Sequence, residues 1–312
     1  MRLLILVNPG ASRADAALEE LAAWFRQNCD ATFVTTRSRD HLTQILLRHG
    51  HDADRIVIGG GDGTISEALP CLLDLGKPLA VLPLGTANDF AKSLGLPRDT
   101  FAAARIALDG PTHKVDVGLV NGRPFINVAS VGLAAQVSQV QSKELKRIWR
   151  LFSYAIGLLR AVIHSRPFRV DLTIDQHWTW TGLAYQVSVA NGRYHGGGLR
   201  VAEHAAIDDG KLNVYFVLPG KVWQLVAAII HLKFGLTKPE ILQQKSGRHV
   251  TIRTRRPRPV NADGEIGTAT PADITLRPKA LSVIVPPLGG GEESTLVTQT
   301  GQARPVDRDA PR

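Results

Sequence analysis

The chain has 312 residues, 44% hydrophobic and 21% charged, which excludes a disordered or fibrous protein and leaves room for two domains or one large one. Its formal net charge is +9, and because residues 289–312 hold four acids against three arginines, the body ahead of them is more basic still. That balance favours an anionic partner (nucleotide, nucleic acid or acidic membrane surface) without choosing among them. Cys29 and Cys71 are the two cysteines, with no CxxC and no paired histidine at ligand spacing, so reduced, buried thiols are expected rather than a metal site. Five apolar residues between Met1-Arg2 and Asn8-Pro9-Gly10 are too few for a signal-peptide core. No run approaches the roughly 20 apolar residues of a membrane span. The expectation is a soluble, cytoplasmic protein that can visit a membrane.

Residues 3–7 (LLILV) read as a buried parallel strand, and 14–28 as a helix with Ala17, Leu18, Leu21, Ala22 and Phe25 at helical spacing. A strand near 31–35, a helix near 40–49, a strand at 55–58, a helix at 64–75 and a strand at 79–82 follow. Strands alternating with helices predict βαβ units and a parallel sheet, whose ligands bind beyond the carboxyl ends of the strands. Asn8, Asp62 and Thr86 all stand there.

After about residue 115 the pattern changes to short alternating runs, such as 169–174 (RVDLTI), 212–216 (LNVYF) and 250–253 (VTIR). The predicted fold is an α/β N-terminal nucleotide-binding domain with a parallel sheet, plus a mainly antiparallel β-sandwich C-terminal domain. The expected division is 1–120, 121–288, and a polar tail 289–312 that is partly disordered or returns to the first domain. Within 143–163, Lys143, Lys146, Arg147 and Arg150 share one helical face, and Ile148, Leu151, Phe152, Ala155, Leu159 and Val162 another. Such a helix either lies on anionic lipid or packs on the core with a solvated basic side. The stripe of Trp223, Val226, Ala227 and Ile230 is read as core. Arg253, Arg255, Arg256 and Arg258 meet lipid headgroups or simply water.

Two strand ends carry the chemistry. Ile56-Val57-Ile58 empties into Gly59-Gly60-Gly61-Asp62-Gly63-Thr64, and Leu79-Ala80-Val81-Leu82 into Pro83-Leu84-Gly85-Thr86-Ala87-Asn88-Asp89. A buried strand that ends in glycines and opens a helix brings backbone N–H groups up to a phosphate. Asp62 and Asp89 would repel that phosphate unless a cation lay between, and hard oxygen ligands beside phosphate suggest Mg²⁺. The local reading is a magnesium–nucleotide site.

Asn8-Pro9, GGGDGTISEAL, PLGTANDFAKSLGLP, FINVASVGL, NGRYHGGG, AIDDGKL and DGE follow one another in order over almost the whole chain. As a set they resemble the diacylglycerol-kinase-type lipid kinases, and more closely the soluble bacterial lipid kinases related to sphingosine and ceramide kinases. The resemblance implies ATP and Mg²⁺ as cofactors and a lipid alcohol as acceptor, diacylglycerol, phosphatidylglycerol or similar. It implies that Gly61, Asp62, Gly63, Thr64 and Thr86 hold the phosphates, with Asn8, Thr35, Ile65, Ser66, Glu67 and Asn88 around the nucleotide. Asp62, Asp89 and Asp116 would form a magnesium and water network, with Asp62 also catalytic. Glu265 of Asp263-Gly264-Glu265 would be the base that takes the acceptor's proton. A second, structural Mg²⁺ would be held by the Asp209 carboxylate and the carbonyls of Ala206 and Lys211, against the alternative of a plain Asp-Gly turn. Ser66 stands where such kinases commonly have asparagine, and Glu203 where proline is usual. The expected partners are the lipid alcohol and, peripherally, the anionic inner membrane surface, with no nucleic acid; a homodimer is implied only because relatives often form one. The rivals are an NAD kinase, which shares a GGDG loop, and a nucleotide-binding regulator without transfer activity.

Overall fold

A computed structural model describes residues 1–8, 18–132, 166–192, 194–195, 199–200, 205–221, 223–224, 227–228, 231 and 239–287. The early apolar runs form four parallel strands: β1 (Arg2–Val7), β2 (Asp30–Thr35), β3 (Arg55–Gly60) and β4 (Leu79–Pro83), in the spatial order β2-β1-β3-β4. Strand β1 is apolar throughout because both its faces are covered. Leu4 and Leu6 meet the helices α2 (Arg39–His49) and α3 (Asp62–Leu75), whereas Leu3, Ile5 and Val7 meet α1 (Leu18–Asn28) and α5 (Thr100–Asp109). A short α4 (Asp89–Ser93) precedes α5. Neither α4 nor α5 was foreseen, although Asp99 caps α5 by accepting from the Ala102 N–H at 2.7 Å.

The remaining strands are β5 (Thr112–Val120), β6 (Arg123–Phe125), β7 (Val128–Gly132), β8 (Phe168–Ile174), β9 (Trp178–Ala184), β10 (Gln186–Ala190), β11 (Tyr194–His195), β12 (Leu199–Arg200), β13 (Leu212–Val217), β14 (Leu242–Gly247), β15 (His249–Thr254), β16 (Pro259–Ala262), β17 (Glu265–Ala269) and β18 (Ala272–Ile284). One antiparallel sheet runs β14-β13-β10-β7-β16-β17. Its inner face, with Val131, Val187 and Val214, packs on Val170, Leu172, Val250, Ile252 and Ile274 of β8, β15 and β18. The α/β domain and the antiparallel sandwich are therefore as the sequence pattern predicts.

The two are joined more closely than the pattern suggests. Strand β18 pairs antiparallel with β15 at its start, and near its end sits parallel to β4 at Val283–Leu79. One ten-stranded sheet thus passes from the first domain into the second. A register shift between Arg277 and Leu281, with Lys279 at φ 51°, bends β18 where it crosses over.

Among the described residues no helix is long and apolar enough to cross a membrane. The basic helix expected at 143–163 and the tail 289–312 lie outside the described residues. Trp223 is 64% exposed, contrary to its reading as core. The side turned to Ile241 and Leu218 is instead that of Ala228, which takes the buried place. Cys29 and Cys71 are free and half-buried, with burial raising both thiols above the usual range.

Candidate active site

The carboxyl ends of β1, β3 and β4 come level, Val7 beside Gly59 and Gly60 beside Pro83. The Leu84 and Gly85 N–H groups donate to the Gly60 carbonyl at 3.1 and 3.2 Å and draw the two glycine loops together. A Cβ on Gly85 would stand 2.4 Å from the Gly61 Cα and 2.6 Å from Asn88 Oδ1, so this contact admits only glycine. Asn8 Nδ2 donates to Thr64 Oγ1 at 3.3 Å, tying the end of β1 to the same turn. Helix α3 starts at Asp62 with Gly61 as N-cap and no side chain capping it. Beyond Gly63, a Cβ would meet nothing within 4 Å. The positive end of a 14-residue helix is therefore without a side-chain cap and has room beside Gly63, as a phosphate site requires.

The Asp62 carboxylate organises the second loop. Its Oδ2 accepts from the Asp89 N–H at 3.0 Å and its Oδ1 from the Phe90 N–H at 2.9 Å, capping α4 from a distance in sequence. Burial raises the Asp62 carboxyl above its ordinary range, the nearby Asp89 carboxylate adds to this, and the amides pull it back. Asn88 makes the turn at φ 51°, with its Nδ2 donating to the carbonyls of Pro83 (3.1 Å) and Gly85 (2.9 Å). Its Oδ1 is buried without a partner. The Asp89 carboxylate, 1% exposed, accepts from Lys92 Nζ at 2.9 Å.

The second domain reaches this site through the turn between β16 and β17. Asp263 Oδ2 accepts from the Ile126 N–H at 2.7 Å, and Oδ1 from those of Asn127 and Val128 at 2.9 Å each. Burial pushes the Asp263 carboxyl up to about 6, against the pull of these amides and with Asp62 adding to the rise. The same bonds fix Asn127, whose Nδ2 reaches Asp62 Oδ1 at 3.5 Å. Gly264, at φ 95°, completes the turn and donates to Asn261 Oδ1 at 2.9 Å. Glu265 then opens β17 and forms an ion pair with Arg39, the first residue of α2, which also contacts Glu67 of α3 at 3.4 Å. Glu265 is thus linked through Arg39 to Glu67 on the second turn of α3.

The sequence-predicted residues fall into two groups. Asn8, Gly61, Asp62, Gly63, Thr64, Asn88 and Asp89 gather at the strand ends, with Ser66 and Glu67 further along α3, Thr86 in the loop after β4, and Glu265 linked to Glu67 through Arg39. Ile65 packs into the core beneath them, and Thr35 is exposed at the end of β2, whereas its neighbour Thr36 is buried and donates to the Val7 carbonyl at 3.2 Å. Asp116 belongs to a second group. Its carboxylate accepts from the Gly210 and Lys279 N–H groups, both at 2.7 Å, beside the 206–211 loop. In that loop Asp209 accepts from the Ala206 N–H at 3.2 Å and the Lys211 N–H at 2.9 Å, and burial raises its carboxyl. Asn191 links the groups: its N–H donates to the Asn127 carbonyl and its Nδ2 to the Asp116 carbonyl, both near 2.8 Å and 2.7 Å respectively. Asn127, Asn191 and Asp263 were not singled out, though each lies inside a quoted motif. Arg39 lies in none.

Comparison with known proteins accords with this layout. Residues 2–120 match the diacylglycerol kinase catalytic domain, and 127–285 the YegS C-terminal NAD kinase beta sandwich-like domain. A probable lipid kinase YegS-like protein of Pseudomonas fluorescens is 36% identical over 257 residues, 80% of this chain and 84% of that one. The chain belongs to the YegS-like lipid kinases of the diacylglycerol kinase superfamily. The crystal structure of a putative diacylglycerol kinase from Bacillus anthracis superposes with a TM-score of 0.78 at 28% identity, covering 92% of this chain and 95% of the other. Yeast NADH kinase superposes with a TM-score of 0.51 at 12% identity over 91% of this chain and 82% of its own, a likeness of fold alone.

YegS-like kinases imply Mg²⁺, and the residues here suit it. No group of three His, Cys, Asp or Glu side chains at metal-binding distance occurs among the described residues. Mg²⁺, however, keeps several waters and uses one or two carboxylates plus substrate phosphates. Asp62 supplies a buried carboxylate crowded by Asp89 and Asp263, and Asn88 a buried oxygen without a donor. These are hard oxygens in a place where extra positive charge relieves repulsion.

Proposed function

We propose that this protein is an ATP- and Mg²⁺-dependent lipid kinase that phosphorylates the hydroxyl of a lipid alcohol of the diacylglycerol or phosphatidylglycerol kind. The reading is carried by one juxtaposition: Glu265 of the second domain meets, through Arg39, Glu67 on the second turn of the helix that the glycine loop opens in the first. The glycine loops would cradle the polyphosphate with backbone N–H groups, Asn8, Thr64, Ser66, Thr86 and Asn88 lying around it. Asp62 and Asp89, with water, would hold Mg²⁺, which would supply charge neutralisation on the phosphate oxygens. Glu265 would take the acceptor's proton as its oxygen attacks the γ-phosphorus and the bond to the ADP oxygen breaks. The acceptor would enter the cleft between a nucleotide domain, 1–120, and an acceptor domain, 121–288. The Asp209 loop, tied to Asp116 and β18, suits a distant structural ion better than one that touches phosphate. The net charge of +9 favours peripheral, salt-sensitive contact with the anionic cytoplasmic face of the membrane.

The test is transfer of labelled γ-phosphate from Mg²⁺-ATP to a panel of lipid alcohols in mixed micelles, wild type beside Glu265→Gln. Labelled lipid with wild type, lowered on the order of 10²–10⁴-fold in the variant at unchanged ATP affinity, is expected. Equal labelling by both proteins removes Glu265 from the mechanism, and labelled NAD in place of lipid overturns the acceptor class.

A further inference from the structure

We propose that Arg39 is a positioning residue, a clamp that holds Glu265 against Glu67 and so keeps the second domain's turn over the nucleotide loops. The inference rests on the kinase reading for what Glu265 does, but its geometry stands apart from it. Arg39 begins α2 directly after Ser38, whose hydroxyl accepts from the His41 N–H at 3.2 Å, so its backbone is fixed by a helix cap. Its Nη2 meets the Oε1 atoms of both Glu67 and Glu265. Among the described residues Arg39 is the one cation paired with either carboxylate.

Three side chains from three elements and both domains therefore converge on one nitrogen. Glu67 projects from the second turn of α3, Arg39 from the first of α2, and Glu265 from the turn that Asp263 anchors on three amides. The side chains of Arg39 and Glu265 are 50% and 44% exposed, so the pair contributes little to overall stability. What it does is geometric. A half-exposed glutamate samples several rotamers, and a guanidinium fork selects one. The arrangement also has an asymmetry: two carboxylates share one cation, so without Arg39 they repel each other across the domain boundary. Loss of the clamp would both free Glu265 and push it away from α3.

That asymmetry supplies the test. Arg39→Met, the double variant Arg39→Met with Glu67→Gln, and Arg39→Lys are compared with wild type, using the full chain, by hydrogen exchange over residues 261–267 and by steady-state kinase kinetics. Arg39→Met is expected to speed exchange in this turn and to lower kcat by about tenfold or more, with KM for ATP within about twofold. Adding Glu67→Gln should restore a large part of both losses by removing the repelling charge, and Arg39→Lys should restore some of them. Exchange unchanged in Arg39→Met, or a double variant no better than the single, overturns the clamp. So does a rise in KM for ATP at constant kcat, which would assign Arg39 to the nucleotide's phosphates. If wild type labels no lipid while exchange follows the expected order, the clamp stands and the kinase reading falls.

Discussion

The nucleotide loops and the turn that bears Glu265 position charge by opposite means. The loops work by leaving space: Gly61 and Gly85 abut without side chains, α3 carries no side-chain cap, and nothing lies near Gly63. The turn works by filling it, with Asp263 occupied by three amides and Asn261 by the Gly264 N–H. A surface that must receive a large anion is kept bare of side chains, whereas one carboxylate that must be aimed is held from behind. In the first no side chain takes up the N–H donors at the start of α3; in the second the amides are consumed by Asp263.

This contrast can be broken at either end. The largest effect is expected from Gly85→Ala, whose Cβ would meet the Gly61 backbone: about 3 kcal/mol of stability lost, and ATP binding with it, by urea unfolding and titration calorimetry. Retained affinity would mean that the loops separate at little cost. Next comes Asp263→Asn, expected to cost roughly 2–3 kcal/mol because one oxygen cannot serve three amides. Its pH dependence has a definite sign. Because the folded carboxyl is pushed up to about 6, it keeps its proton more firmly folded than unfolded. The stability this contributes is full below about pH 4 and is lost as pH rises through about 6. The cost of the substitution, measured with chelator present, should therefore shrink between pH 4.5 and 7.5. Growth instead would show the amides outweighing burial. The smallest stability change belongs to Gly63→Ala, where a Cβ meets open space and helix propensity improves. Melting should stay put while ATP affinity falls about tenfold, or about 1.4 kcal/mol; unchanged affinity would move the phosphates elsewhere.

The contrast also explains what the amino-acid sequence made legible. Asp62, Gly63 and Thr64 lie on one strand-to-helix turn, so contiguous residues sufficed to propose a phosphate site there, and β1, β3 and β4 announced themselves as unbroken apolar runs. The second domain's side is assembled from 126–128, 191, 206–211, 263–265 and 279, which nothing local joins. Asp116 shows the limit. Next to a phosphate motif it reads as a partner of Asp62, and the sequence alone does not show that its carboxylate also accepts from Gly210 and Lys279, residues 94 and 163 positions away. Arg39 had no motif to betray it, because its meaning comes only from the glutamates that meet it. Helix α5 was missed for a different reason: its buried face is Ala103, Ala104 and Ala107, too small to mark an amphipathic stripe.

The pairing of Val283 with Leu79 bears on how the molecule comes into being. During synthesis β1 to β4 emerge early, but the strand that covers the open side of β4 leaves the ribosome some two hundred residues later. Until then the edge of β4 away from β3 lacks the neighbour that it meets at Leu79, an apolar edge open to other strands. Closure of the first half thus waits on the last strand, a contact of long sequence separation that forms slowly and favours folding after, rather than during, translation. Truncation just ahead of β18 would leave a nascent half prone to associate with copies of itself.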